Sequence, residues 1–224
     1  MKQKVYIQSG THIGNLLATL CVFMVITTAC SSNDDGQHPI EIEQQSNLFR
    51  FADGLPLSGG GAFLKRTPTR LTMTLDARDL WPNQTYTISW MVFNNPEPCQ
   101  NGITGTTDCG QDDLFDEVIG GSVLFADGQL SDGEGRSQFM ATLDLEDATG
   151  CQPPFDDFGV CRKGLENPMG AEVHLVIRRH GEMLPELGNL QLETYAGGCT
   201  PETSFGAGNG PNECVDMQFA VFKP

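Results

Sequence analysis

Positive charge and histidine are scarce in this sequence. Its 224 residues carry 13 Lys and Arg against 29 Asp and Glu, with 4 His, for a formal net charge of −16 at pH 7. Such a field repels nucleic-acid phosphates and anionic lipid head groups, which excludes a direct DNA, RNA or membrane-surface role driven by charge. There is no G-x-S-x-G elbow to present a nucleophilic serine. No CxxC pair occurs and the cysteine spacings are wide, which argues against zinc. The D-x-D-x-D-G calcium loop is missing. "GAGNGP" at 206–211 has closely spaced glycines but no strand before it and no helix after it, so it reads as loop. No long stretch beyond residue 46 keeps a 3.6-residue hydrophobic period, so helix should be scarce.

The one long apolar run lies at the start. Lys2 and Lys4 precede residues 16–26, an almost uninterrupted hydrophobic segment that closes on Thr27, Thr28 and Ala29. This is the plan of a signal peptide over residues 1–29. A spanning helix needs about 20 apolar residues, and this run is roughly half that length. The small residues immediately before Cys30 resemble the lipobox of bacterial lipoproteins. That resemblance implies cleavage before Cys30 and a diacylglycerol on its sulfur. With Ser31 next and no Asp beside the cysteine, it also implies delivery to the outer membrane of a Gram-negative cell, facing the periplasm or the exterior. Thr27 stands where that family usually has Leu, which leaves cleavage after Ala29 without lipid as the alternative. Acyl chains hold a protein firmly, each buried methylene contributing about 0.8 kcal/mol. Residues 1–29 hold Lys2, Lys4 and no acid, so their removal takes the formal charge from −16 to −18.

Residues 30–46 read as the lipidated cysteine and a flexible tether, because "SSNDDGQHPIEIEQQS" is polar, poor in aromatics and without hydrophobic period. Residues 47–224 show no second break in composition and no repeat, which predicts one domain. Its grain is period two. Leu71, Met73, Leu75 and Ala77 alternate with Thr72, Thr74 and Asp76, as in a half-buried strand. In "TYTISWMVF" Tyr86, Ile88, Trp90 and Val92 share one face and Thr87, Ser89, Met91 and Phe93 the other, the mark of a central strand covered on both sides. "RSQFMATLDL" points Phe139, Ala141, Leu143 and Leu145 inward, and "VDMQFAVF" groups Val215, Met217, Phe219 and Val221. Asp-Gly pairs at Asp127 and Asp132 predict hairpin turns. "AEVHLVIRRH" and "LQLETYA" predict two further strands. The expected fold class is all-β, a single antiparallel β-sandwich of roughly seven to nine strands with long disulfide-tied loops.

Setting aside Cys21 and Cys30, the cysteines that remain are Cys99, Cys109, Cys151, Cys161, Cys199 and Cys214. They fall two apiece in connections rich in Gly, Pro and Asn. Locality pairs Cys99 with Cys109, Cys151 with Cys161 and Cys199 with Cys214, although many other connectivities are open. Closing loops of this size removes unfolded-chain entropy equivalent to about 3 kcal/mol each. Paired thiols agree with export.

Chemistry-bearing residues are sparse. With His12 in the signal segment and His38 in the tether, His174 and His180 are left. Equal parity in "EVHLVIRRHGE" puts Glu172, His174, Arg178 and His180 on one strand face. Six strand residues span about 20 Å, so an unbroken strand keeps the two histidines from sharing an ion. His174 then reads as a structural residue and His180 as a turn residue. Glu172 and His174 are candidates for a metal or catalytic pair. Arg178 and Arg179 can hold an anion or serve as exposed strand-end charges. Calcium is the one cofactor to weigh, through Asp112, Asp113, Asp116 and Glu117 with Asp156 and Asp157. Solvated loop carboxylates are the plainer reading of those acids.

Residues 75–99 ("LDARDLWPNQTYTISWMVFNNPEPC"), 109–115 ("CGQDDLF") and 170–181 ("GAEVHLVIRRHG") together resemble a pattern in uncharacterised secreted bacterial proteins. The Leu-x-Pro turn before an aromatic-rich strand also resembles the sandwich repeats called CHRD domains, but that family's histidine pair is not found in residues 86–93. The resemblance implies an exported β-sandwich and carries no catalytic residue across. Two functions are expected. The first is a non-catalytic cell-envelope lipoprotein whose loops bind a protein, glycan or cation, reaching the membrane through its lipid anchor and involving no nucleic acid. The alternative is a periplasmic hydrolase, or a redox or metal-binding enzyme, centred on His174.

Overall fold

A computed structural model describes residues 40–103, 106–161 and 163–224. The expected signal peptide, Cys30 and residues 31–39 of the tether lie outside the described residues. Nine strands follow in chain order: β1 (Ile42–Ser46), β2 (Phe49–Arg50), β3 (Gly61–Thr67), β4 (Arg70–Ala77), β5 (Thr85–Phe93), β6 (Gly121–Leu130), β7 (Ser137–Asp144), β8 (Glu172–Gly181) and β9 (Val215–Phe222). They form two antiparallel sheets, a four-stranded one in the order β1-β3-β4-β7 and a five-stranded one in the order β2-β9-β8-β5-β6. The chain is therefore an all-β sandwich with disulfide-tied loops.

Alternation builds the core between the sheets. Leu71, Met73, Leu75 and Ala77 of β4 are buried together with Tyr86, Ile88, Trp90 and Val92 of β5, Phe139 and Leu143 of β7, and Val173, Leu175 and Ile177 of β8. Burying one such large side chain contributes about 1.5–3 kcal/mol before entropy is counted. Arg66 occupies an inward position of β3 beside Leu64 and is also fully buried. Its guanidinium donates to the carbonyls of Pro168 (2.8 Å), Ala171 (3.0 Å) and Phe222 (3.1 Å) and to Gln44 Oε1 (2.6 Å). Burial holds its pKa down to about 10. One buried cation thus ties β1, the end of β9 and the turn before β8 to β3.

The five-stranded sheet is covered on both faces. Its outer side carries a second, smaller core of Phe93, Cys109, Leu114, Ile119, Val123 and Val160. The connections that follow β5, β7 and β8 supply that cover.

Residues 42–46, assigned to the tether, form β1, because they complete the edge of β3 and Gln44 receives Arg66. "LQLETYA" makes no strand: Leu190–Glu193 is a short helix, α2, whose buried Gln191 donates to the Glu182 carbonyl at 2.9 Å. Asp127-Gly128 is not a turn but part of β6, where Ala126 is the extra residue of a bulge opposite Ile88 and Ser89. Gly128 is needed there because a Cβ would lie 1.9 Å from the Leu192 carbonyl oxygen of α2. Asp127 Oδ2 accepts the Met140 N–H of β7 at 3.0 Å and joins the edges of the two sheets. Asp132 does lie in the β6–β7 turn, accepting the Glu134 and Arg136 amides at 2.8 and 2.9 Å. Leu145 lies beyond β7 and is exposed. In β9 the register slips at Met217, so the alternation changes phase: Ala220 and Phe222 enter the main core and Phe219 turns to the outer face.

Candidate functional site

β8 is the floor of the site. Glu172, His174, Val176 and Arg178 follow one another on its outer face, and all four are buried. On β5 they face Phe93, Met91, Ser89 and Thr87 in turn. On β9, His174, Val176 and Arg178 face Val221, Phe219 and Asp216.

Disulfides close three loops over this floor: Cys99–Cys109, Cys151–Cys161 and Cys199–Cys214. The first supplies Asn101, Ile103 and Thr107 to the wall, the second Phe155, and the third Thr203 and Phe205. Together they enclose a cavity of about 340 Å³, within the size range of small-molecule sites.

A polar pair stands at each end. Glu172 is fully buried and its Oε1 lies 2.6 Å from His174 Nε2. The same carboxylate accepts the amides of Asp108 and Cys109, each at 3.1 Å. An ionised carboxylate only accepts, so Nε2 carries the proton. Nδ1 then has no partner among the described residues. At the other end Arg178 Nη1 donates to Asp216 Oδ1 at 2.8 Å, Nη2 donates to the Thr203 carbonyl, and the guanidinium lies 4.2 Å over the Tyr195 ring. Burial pushes the Tyr195 phenol up, and the Asp216 charge adds to it. Four residue steps along β8 take His174 to Arg178, about 13 Å.

The parity of Glu172, His174 and Arg178 therefore holds, but the picture of strand-end charges does not. Arg178 is 4 % exposed, with both terminal nitrogens bound by protein and its buried Nε without a partner among the described residues, and Arg179 lies 4.5 Å over the Trp81 ring. His180 is no turn residue. It is wholly buried in β8, with Nδ1 2.8 Å from the Gly197 carbonyl and Nε2 2.8 Å from Thr87 Oγ1. Burial pulls its pKa down to about 4, the Gly197 hydrogen bond opposes this, and Arg178 adds to the fall. His180 is thus a neutral pin beside the Cys199–Cys214 bridge.

The acidic candidates do not gather. Among the described residues, the groups of three metal-ligand side chains within reach of one another are His180, Cys199, Cys214 and Cys99, Cys109, Asp113, and each contains a disulfide. Asp113 is buried, and it staples the first loop by accepting from Gly110 N (2.8 Å), Asn101 N (3.1 Å) and Asn101 Nδ2 (2.6 Å). Burial would raise its carboxyl, but these hydrogen bonds outweigh burial and hold it below the usual carboxylate range. Asp112, Asp116, Glu117, Asp156 and Asp157 are exposed. Sequence reasoning missed Ser89, Tyr195 and Asp216 as members of the site. Ser89 carried a signal in its place on the outer face of β5, whereas Asp216 meets Arg178 only because of the Met217 bulge.

Comparisons with protein-family models, with curated proteins and with solved structures find no match to this chain.

Proposed function

We propose that the protein is an exported, non-catalytic binding module, carried on a lipidated Cys30 at a Gram-negative outer membrane, that holds a small amphipathic molecule over β8. The observation that carries this reading is the convergence of all three disulfide-closed loops on one cavity. Cross-links that only stabilised a fold would have no need to meet. Here each one fixes a wall, so the cavity keeps its shape before a ligand arrives, and preorganisation lowers the ordering cost of binding. Met91, Ile103, Leu114, Val123, Val176 and Phe219 suit an apolar body. His174 Nδ1 at one end and the Arg178–Asp216 pair at the other suit polar groups on it. The lipobox resemblance and the paired cysteines support export. The test is a thermal-shift screen of amphipathic small molecules against the protein and Val176→Trp, which fills the cavity. A stabilising ligand that loses its effect in the variant supports the reading; ligands that stabilise both equally, or none that stabilises either, contradict it.

A hydrolytic reading has one observation in its favour. Ser89 and His174 reach the same cavity from neighbouring strands, and Glu172 orients His174 as the acid of a nucleophile, base and acid set does. His174→Ala separates the classes. Loss of turnover on a panel of esters and amides supports the enzyme, and ligand binding altered with no turnover in either protein supports the module.

A further inference from the structure

From the rim of the cavity outward three exposed phenylalanines lie next to one another. Phe115, Phe158 and Phe205 are 58 %, 48 % and 56 % exposed. Their ring centroids are 6.5 Å apart from Phe115 to Phe158 and 6.1 Å apart from Phe158 to Phe205. Each comes from a different connection. Phe115 ends the 3-10 turn Gln111–Phe115 just after the first disulfide loop, Phe158 ends the short helix α1 (Phe155–Phe158) inside the second, and Phe205 lies inside the third. Rings far apart in sequence are thus held as neighbours in water. Burying a ring of this kind is worth about 1.5–3 kcal/mol, and contiguous exposed apolar groups mark interaction surfaces.

Acids outnumber cations around the rings: Lys163 borders the groove of Phe115 and Phe158 and lies 3.8 Å from Glu166. Asp112, Asp116, Glu117, Asp156, Asp157 and Glu202 are exposed, and none forms an ion pair among the described residues. Ring geometry narrows the occupant. Neighbouring rings meet at 60° and 86°, so a flat sugar laid on one ring meets the edge of the next rather than its face. Rings set edge to face leave gaps that fit aliphatic side chains and offer ring faces to cations. An acidic rim around them selects positive charge.

We propose that the strip Phe115, Phe158, Phe205 docks a cationic amphipathic peptide segment, its aliphatic side chains between the rings and its Lys or Arg against the acids. Phe205 also lines the β8 cavity whereas Phe115 and Phe158 do not, so the Phe115→Ser, Phe158→Ser double variant, which leaves the cavity wall intact, separates this surface from the ligand reading and should by itself weaken the peptide. The probe is a synthetic Leu/Lys amphipathic peptide, compared by fluorescence anisotropy with a Leu/Glu peptide and a Gly/Lys peptide of equal length. The Leu/Lys peptide should bind best, weaken as salt rises, and lose about tenfold or more in affinity with the Phe115→Ser, Phe158→Ser, Phe205→Ser triple variant. Because about half of each ring is exposed, the unfolding midpoint of that variant should fall only modestly while the transition stays cooperative. Asp156→Asn with Asp157→Asn should weaken the same peptide with the rings intact. Equal affinity for the protein and the triple variant, or for the Leu/Lys and Gly/Lys peptides, would reduce the effect to the general acidic field and overturn the proposal. So would no binding of the Leu/Lys peptide, or a chito-oligosaccharide bound in its stead through the same rings.

Discussion

Replacing Glu172 by Ala tests how the end of the cavity is held. The carboxylate is fully buried and accepts from the Asp108 amide, the Cys109 amide and His174 Nε2, the last at 2.6 Å. Truncation leaves those three donors without an acceptor. An orphaned buried donor costs about 1–3 kcal/mol, and water entering the vacated space recovers part of this. The expected loss is about 3–5 kcal/mol, at the top of the range for single substitutions. Glu172→Gln, which keeps one acceptor oxygen for the amides, should cost about 1–2 kcal/mol. Urea unfolding at constant m measures both. Hydrogen exchange adds a local readout: the Asp108 and Cys109 amides should lose protection in the Ala variant although the Cys99–Cys109 bridge stays closed. A loss under about 0.5 kcal/mol, the scale of an ordinary surface change, with those amides as protected as before, would mean that the Glu172 carboxylate does not hold this end of the cavity.

Acid should destabilise the fold through His180. Its folded pKa of about 4 lies below the ordinary 6.5, so the unfolded chain binds the extra proton between these values. Stability is then flat above pH 6.5 and falls as pH drops towards 4, by about 2 kcal/mol between pH 7 and pH 5; His180→Gln should flatten that part of the urea-midpoint profile. Arg66→Met leaves the Pro168, Ala171 and Phe222 carbonyls without their donor and should lower stability by about 2–4 kcal/mol in chemical denaturation. An unchanged midpoint would show that the guanidinium contributes nothing net. Gly128→Ala drives a Cβ into the Leu192 carbonyl of α2, so an unfolding shift of about 1–3 kcal/mol is expected, and an unshifted curve would mean that α2 yields freely.

Period-two alternation made β4, β5, β7 and β8 legible, because one or both of their faces meet a core. It failed where the register slips. The Met217 bulge swaps the faces of β9, and the Ala126 bulge leaves Asp127-Gly128 inside a strand although the dipeptide favours a turn. Arg66 sits at buried parity next to an exposed Lys65, and only tertiary carbonyls distinguish the two. The short apolar run in "LQLETYA" has no period long enough to tell helix from strand. Within the site, Glu172, His174 and Arg178 could be read from parity, and the loop pairing of cysteines from locality. That the three loops close over one sheet face could not be read, since it depends on contacts between residues far apart in the chain.

Native mass spectrometry of the protein isolated from a bacterial envelope reads out the anchor, the cross-links and the cavity's occupant together. The expected species is a chain that begins at an acylated Cys30, carries its remaining cysteines as three disulfides, and releases a small amphipathic molecule on denaturation. A chain that retains Met1, with free thiols and nothing bound, would contradict that expectation.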